Sequence, residues 1–437
     1  MSSGLEASIA GAETHMLGEL SYALPASAQY MKKREELYWT SGANVYAANG
    51  IRTMRVNISG QGFLDMSSLV LECDVDNLST AAALKPLVPG LEGFFQSLKV
   101  SISGTTCEEI GDPSCSYGRI YTMLSKGLPK DKIAMNGAMG FELEPHATDY
   151  RAAPTPETIP ISSSKKILHK PLAGICNQKV FLPLWAISSS GQGLSLEFQI
   201  IQDATAPVNT TNGSSLWQLS NVRIYGDVLH CDESLQNTYA RHLLNGKNLT
   251  IPMRSYTSLS FSQPSGGANA TLMIPRTLSR VNAIFLIGRK ASQETATSKE
   301  VNRFCYPGGT AQQILLNHKT LQAWLQIGSS RFPSAGQYEG VNMFYYKWLS
   351  ALGIVNSGHH TTQTTMKKYK TDSFIVCWDL ETIASTSFSG SSLAGGSVSI
   401  NLKGFGQLDG DAPDRWDCIL FHDTLISIHD GFTEVSV

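Results

Sequence analysis

Charge is scarce in this 437-residue sequence: Asp, Glu, Lys and Arg together make up 16% of it, against about 25% in an ordinary soluble domain. The 34 basic and 36 acidic residues nearly cancel, leaving a formal net charge of −2, which excludes a strongly basic nucleic-acid-binding protein. Two short basic runs, Lys32-Lys33-Arg34 (followed at once by Glu35-Glu36) and Met366–Lys370 (MKKYK), read as solvated segments rather than a binding face. No run approaches the roughly 18 apolar residues of a membrane-spanning helix. The first 20 residues carry neither a basic leader nor an apolar stretch of signal-peptide length, so synthesis inside the cell is expected. Eight cysteines occur without a C-x-x-C pair, which argues against a disulfide framework or a zinc site. Cys73, Cys176, Cys231 and Cys377 fall in apolar segments, where a reduced thiol is a small hydrophobe. The nucleophile elbow G-x-S-x-G, the P-loop, G-x-G-x-x-G and H-E-x-x-H are all missing.

Ser, Thr, Asn and Gly take the place of the missing charge, as they do in β-rich proteins and in surfaces that end up against other surfaces. Six N-x-S/T sequons, at Asn57, Asn77, Asn209, Asn212, Asn248 and Asn269, are read as by-products of that composition. The length exceeds what one ordinary core supports and predicts two or three domains.

Residues 1–50 show no sustained period and are read as an arm. Beyond them Ile51–Ser59 (IRTMRVNIS) alternates with period two, the mark of a half-buried strand. Ser68–Val75 and Leu98–Ser103 read as further strands, with a Pro/Gly-punctuated turn at Pro86–Phe95 between them. Tyr117, Ile120, Tyr121 and Leu124 recur at helical spacing. Pro129–Ser164 has five prolines and little periodicity, so it reads as a long insertion. Lys179–Trp185 and Leu194–Ile201 read as buried strands, followed by a polar hinge, Asp203–Ser215 (DATAPVNTTNGSS), and a long strand, Leu216–Cys231. The second half repeats the layout. A helix at Glu233–Leu244, capped by Asp232 and stopped by Asn245-Gly246, precedes strands at Thr250–Ser260, Ala270–Ile274 and Val281–Gly288. A long irregular stretch, Arg289–Gly340, leads to a helix at Val341–Leu352, and strands at Ser373–Asp379, Gly396–Lys403 and Trp416–Ile428 close the chain. Many short strands, few helices and long loops predict an all-β protein of two tandem eight-stranded jelly-roll sandwiches. The expected division is an arm over 1–50, a first sandwich over 51–208 and a second over 209–437.

Candidate chemistry is thin. His230-Cys231-Asp232 supplies two members of the facial triad of jelly-roll iron oxygenases but no third ligand, and Asp232 doubles as a helix cap. His359-His360 lies in a Gly/Thr loop, where adjacent side chains diverge. Asp409, Asp411, Asp414 and Asp417 crowd one loop that could take calcium, though without EF-hand spacing and with Arg415 offsetting charge. Glu108, Glu109 and Asp112 could furnish an opposed carboxylate pair for glycoside hydrolysis, or simply sit on a surface loop. No catalytic, cofactor-binding or metal-ligating residue is assigned. The alternatives to a structural protein are a sandwich-fold oxygenase or hydrolase and a surface adhesin.

Several segments together carry a resemblance. Lys170–Ile201 (KPLAGICNQKVFLPLWAISSSGQGLSLEFQII), Trp217–Asp232, Tyr239–Lys247 (YARHLLNGK), Ile58–Leu64 and Pro86–Val100 occur in an order similar to the major capsid proteins of polinton-like viruses and virophage-related double-stranded DNA viruses. That resemblance implies a double jelly roll and a homotrimeric, pseudo-hexagonal capsomer with heterologous interfaces, of roughly 2,000 Å² each. It implies further a place in an icosahedral virion assembled in the host cell, with neighbouring capsomers and minor or penton capsid proteins as partners. Pro129–Ser164 and Arg289–Gly340 would be the outward towers and clasps, and residues 1–50 would lie at the base. No cofactor and no sequence-specific contact with nucleic acid are implied.

Overall fold

The computed structural model describes residues 32–127, 139–141, 157–178, 180–187, 193–231, 233–263, 269–291, 304–307, 321–353, 362, 364–371, 373–381, 389–394, 396–405, 413–429 and 433–436. The first sandwich contains β1 (Lys32–Trp39), β2 (Val45–Tyr46), β3 (Thr53–Ile58), β4 (Phe63–Asn77), β5 (Phe95–Ile102), β6 (Thr105–Ile110), β7 (Ser164–His169), β8 (Leu182–Pro183), β9 (Leu194–Ile200) and β10 (Trp217–His230). One of its sheets runs β1-β10-β4-β7, with β2 and β8 attached; the other runs β3-β9-β5-β6. The second sandwich contains β11 (Leu249–Ser262), β12 (Asn269–Met273), β13 (Val281–Arg289), β14 (Gln322–Ile327), β15 (Ser330–Phe332), β16 (Tyr338–Glu339), β17 (Ile375–Asp379), β18 (Val398–Lys403), β19 (Arg415–Ile428) and β20 (Thr433–Ser436). Its sheets run β11-β19-β13-β17 and β12-β18-β14-β15, with β20 and β16 attached. With the attached strands set aside, each sandwich uses its first to eighth strands in the same two orders, first-eighth-third-sixth and second-seventh-fourth-fifth. This is a jelly roll, made twice by one chain.

The burial patterns explain why these segments are strands. β3 alternates exposed Thr53 and Asn57 with Met54, Val56 and Ile58, which are sealed from solvent. β10 alternates in the same way on either side of a bulge at Ser220-Asn221. β13 (VNAIFLIGR) is buried at all nine positions, because one face meets its own sandwich core and the other is covered too. Aromatic contacts join the facing sheets: Phe95 of β5 meets His169 of β7 edge-on at 5.8 Å, and Tyr338 of β16 stacks on Trp378 of β17 at 6.5 Å. Full burial of one such large side chain is worth roughly 1.5–3 kcal/mol.

Among the described residues, four helices of six residues or more decorate the sandwiches: α1 (Tyr117–Ser125), α2 (Glu233–Leu244), α3 (Val341–Ala351) and α4 (Met366–Thr371). α1 buries Tyr117, Ile120 and Met123, and α3 buries Val341, Phe344 and Trp348. The basic run MKKYK forms most of α4, with Tyr369 sealed beneath it.

Several expectations need correction. Residues 1–50 are not wholly an arm, since Lys32–Trp39 pairs along its full length with β10, from Lys32 opposite His230 to Trp39 opposite Arg223. The polar hinge does not part the two sandwiches. β10, which follows it, pairs with β4 and closes the first sheet. The hinge is a surface loop folded back on the same sandwich, with the Asn209 amide on the Lys85 carbonyl, the Ser214 amide on that of Ala83, and Val208 buried. Its Pro, Asn and Gly content reflects a solvent-facing loop, not a domain boundary. Lys179–Trp185 is mostly not strand: the two-residue β8 passes into one helical turn, Leu184–Ile187. Arg289–Gly340 is not irregular throughout: it contains β14, β15 and β16, and β14 is a central member of its sheet, so part of this stretch belongs to the sandwich wall. Most of Pro129–Ser164 lies outside the described residues.

Candidate functional site

The side chains that hold one sandwich against the other make the most heavily furnished polar site. On the first sandwich they come from β6, α1 and the short 3-10 turn Ile175–Asn177; on the second, from β11, the end of β13 and the start of β19. β6 reaches the seam because of a bulge. Val100 pairs with Glu108 but Ser101 pairs with Thr106, so Cys107 is an extra residue and alternation breaks. Cys107 and Glu108 are consequently both buried, while Glu109 stays exposed opposite Lys99. The Glu108 carboxylate accepts the Gly174 amide at 2.9 and 3.0 Å and the Ser255 hydroxyl of β11 at 2.6 Å. Burial pushes its acid up to about 7, against the opposing pull of those hydrogen bonds. Gly174 fits because it is small: a Cβ there would sit 2.0 Å from the Arg254 carbonyl oxygen of β11.

Farther along the seam, Asp417 of β19 is fully buried between two arginines. Arg289, the last residue of β13, reaches it with Nη2 at 2.7 Å and Nε at 2.5 Å, and Arg119 of α1 with Nη1 at 3.4 Å. Ser260 of β11 donates to the same carboxylate at 2.5 Å. Both arginines also donate to the Ser114 carbonyl, at 3.0 and 3.1 Å, so the ion cluster ties the second sandwich to the loop before α1. Asp112 holds that loop by accepting the Ser114 and Cys115 amides at 2.7 Å, and it reaches across to the Ser258 hydroxyl at 2.8 Å. At the far end of α1, Lys126 donates to Ser373 at 3.0 Å and lies 5.0 Å over the Phe304 ring, while its carbonyl accepts the Thr364 hydroxyl.

A second buried polar group stands inside the first sandwich. The Tyr117 hydroxyl accepts the Leu172 amide at 2.7 Å and shares a hydrogen bond with His169 Nε2 at 2.9 Å. The His169 Nδ1 lies 3.9 Å from the Glu92 carboxylate. Burial drives His169 down to about 3 and Glu92 up to about 7, so both charged forms are disfavoured. The cluster pins α1 to β7.

The residues singled out in the sequence are not gathered into one centre. His230 ends β10 with Nε2 3.5 Å from Glu36 of β1, and Asp232 lies outside the described residues. His359, His360, Asp409 and Asp411 lie outside them too. Asp414 accepts the Ala291 amide, and Asp417 is the arginine-bound residue of the seam. Glu108 and Asp112 are not loop carboxylates facing a substrate but parts of the seam. Among the described residues no group of three His, Cys, Asp or Glu could hold a metal ion. All eight cysteines are free thiols, and burial raises the pKa of Cys73, Cys176 and Cys377. Arg119, Gly174, Ser255 and Arg289 were not foreseen. Only an arginine ending an otherwise apolar strand gave any signal.

No protein-family profile and no curated protein sequence matches the chain. Solved structures do. The PBCV-1 VP54 structure fitted into a cryo-EM reconstruction of the virophage Sputnik superposes with a TM-score of 0.65 over 96% of this chain and 99% of that one, at 9% identity. The Faustovirus major capsid protein gives 0.59 over 94% and 93%, at 11% identity. The cryo-EM structure of the Sputnik virophage gives 0.57 over 95% and 90%, at 11% identity. The likeness spans both sandwiches, so the fold is the double jelly roll of these capsid proteins.

Proposed function

We propose that this protein is a viral major capsid protein, acting as a structural tile and not as an enzyme. The observation that carries the reading is the doubled jelly roll with its two copies locked by a buried seam. A hexagonal lattice asks each tile for six similar edges, and three copies of a two-sandwich chain supply six. The tile is accordingly a homotrimer with heterologous contacts around a three-fold axis, placed in an icosahedral virion shell. The seam matters because it fixes the angle between two of those six edges within every subunit. Low surface charge suits a protein whose sides meet other copies, neighbouring capsomers and minor proteins at the vertices. The polar work of the site points the same way, since Glu108, Asp112 and Asp417 are spent on joining sandwiches. No sequence-specific contact with nucleic acid enters this reading.

Light scattering on the purified chain tests it. The expected mass is about 142 kDa, three times the 47.4 kDa of one chain. A species that stays at the monomer mass as concentration rises would refute it.

A further inference from the structure

In the first sandwich, between α1, the end of β7 and the 3-10 turn Leu91–Phe94, lies a cavity of about 230 Å³. Three elements each bring one polar side chain to it: Glu92 from the turn, Tyr121 from α1 and His169 from β7. Glu92 and His169 are only 5% and 3% exposed. Leu124 and Leu172 add an apolar wall, and the exposed Lys170 stands at the edge.

Glu92 is a buried acid to which the fold supplies no cation. Its carboxyl folds back against Gly90, where a Cβ would overlap Oε2, and it takes hydrogen bonds from the backbone of Gly90 and of its own residue. Burial governs its ionisation, and among the described residues no lysine or arginine acts against that. The His169 Nδ1, at 3.9 Å, is beyond hydrogen-bond reach, and burial keeps the ring neutral. The Tyr117 hydroxyl is engaged by the Leu172 amide and His169, whereas that of Tyr121 makes no hydrogen bond among the described residues. Nor does a third His, Cys, Asp or Glu of the described residues join Glu92 and His169 to complete a metal site. An acid buried in this way is stabilised as its anion only by a charge brought from outside.

We propose that this cavity binds a small primary alkylamine as its ammonium ion, with the Glu92 carboxylate as counter-ion. The proposal does not depend on the capsid reading. An ammonium group carries three N–H donors, enough for the Glu92 carboxylate and the unengaged Tyr121 oxygen. The Tyr121 ring adds an electron-rich face for the cation, and the leucines take the alkyl chain. Because the turn, α1 and β7 meet only in the folded chain, the ligand binds that state alone and adds to its stability by mass action.

Ligand-observed NMR titration and thermal unfolding of the full chain decide the matter. The probe is n-butylammonium chloride, with 1-butanol as its neutral counterpart, sodium butyrate as its anionic one and sodium chloride as the salt reference. Saturable binding of butylammonium is expected, with a rise in unfolding temperature, and binding weaker by about tenfold or more for butanol and butyrate. Glu92→Gln keeps the shape of the side chain and should weaken the amine by about tenfold or more. Glu109→Gln, at an exposed position of β6, should leave it unchanged. Should Glu92→Gln fail to fold, Leu124→Trp narrows the cavity from its half-buried wall and should weaken binding likewise. A response to butylammonium no greater than to sodium chloride, as a cavity holding water alone would give, would overturn the proposal. So would butanol binding as tightly as the amine, or unweakened binding by whichever of the two cavity variants folds.

Discussion

Asp417→Asn removes one charge from the seam and almost no volume. In the native chain two guanidinium groups share this carboxylate, and Asp417 has no exposed surface, so solvent screening does little to soften the loss. Breaking a buried ion pair from one side typically costs about 3–5 kcal/mol, because the partner charge stays buried and uncompensated. Most of that cost belongs to Arg289, with its contacts at 2.5 and 2.7 Å, rather than to Arg119 at 3.4 Å. Urea unfolding followed by tryptophan fluorescence reads it well, since the neighbouring Trp416 is sealed from solvent. Asp417→Asn should lose about 3–5 kcal/mol and separate the unfolding of the two sandwiches into distinct steps. Adding Arg289→Met removes the stranded charge and should recover a good part of the loss, a coupling that a double-mutant cycle measures directly. A loss under about 1 kcal/mol for Asp417→Asn, or no coupling to Arg289, would show that the cluster does not join the sandwiches.

Other outcomes follow from the same geometry. Glu108 and Glu92 are both raised to about 7, so the folded state holds their protons more tightly than the unfolded chain. Their contribution is complete below the ordinary value near 4.5 and is lost as pH rises through 7. Glu108→Gln should flatten that decline, by about 2–3 kcal/mol between pH 4.5 and 8, in unfolding measured across the range. His169 runs the other way: lowered to about 3, its contribution is present above 6.5 and lost as pH falls, giving an acid limb that His169→Gln should remove. Gly174→Ala should cost about 1–3 kcal/mol in chemical unfolding, since its Cβ collides with the Arg254 carbonyl and the seam must open. A chain beginning at Thr40 loses β1, leaves the β10 edge unpaired and should aggregate more readily in light scattering.

The strands were legible where one face is buried. β3 alternates cleanly, β10 does so on either side of a bulge, and the largely apolar β13 could be read as a central strand. Three elements resisted for different physical reasons. β6 (TTCEEI) is polar and carries a bulge, so its pattern has no clean period, and its glutamates read as a loop. β1 (KKREELYW) is an edge strand whose charges guard against pairing with other chains, which in sequence resembles a solvated arm. β14 sits inside a long stretch without other clear signals. The hinge was visible as composition but misread as connectivity: polar loops punctuate a sandwich as readily as they separate two. The seam was almost invisible, because Glu108 meets Ser255 across 147 positions and Arg119 meets Asp417 across 298. No local period encodes such pairs.

Whether one chain really supplies two of six edges is best settled by imaging the purified protein in negative stain. The account predicts three-fold particles with six lobes and a hexagonal outline. Isolated two-lobed particles at every concentration would contradict it.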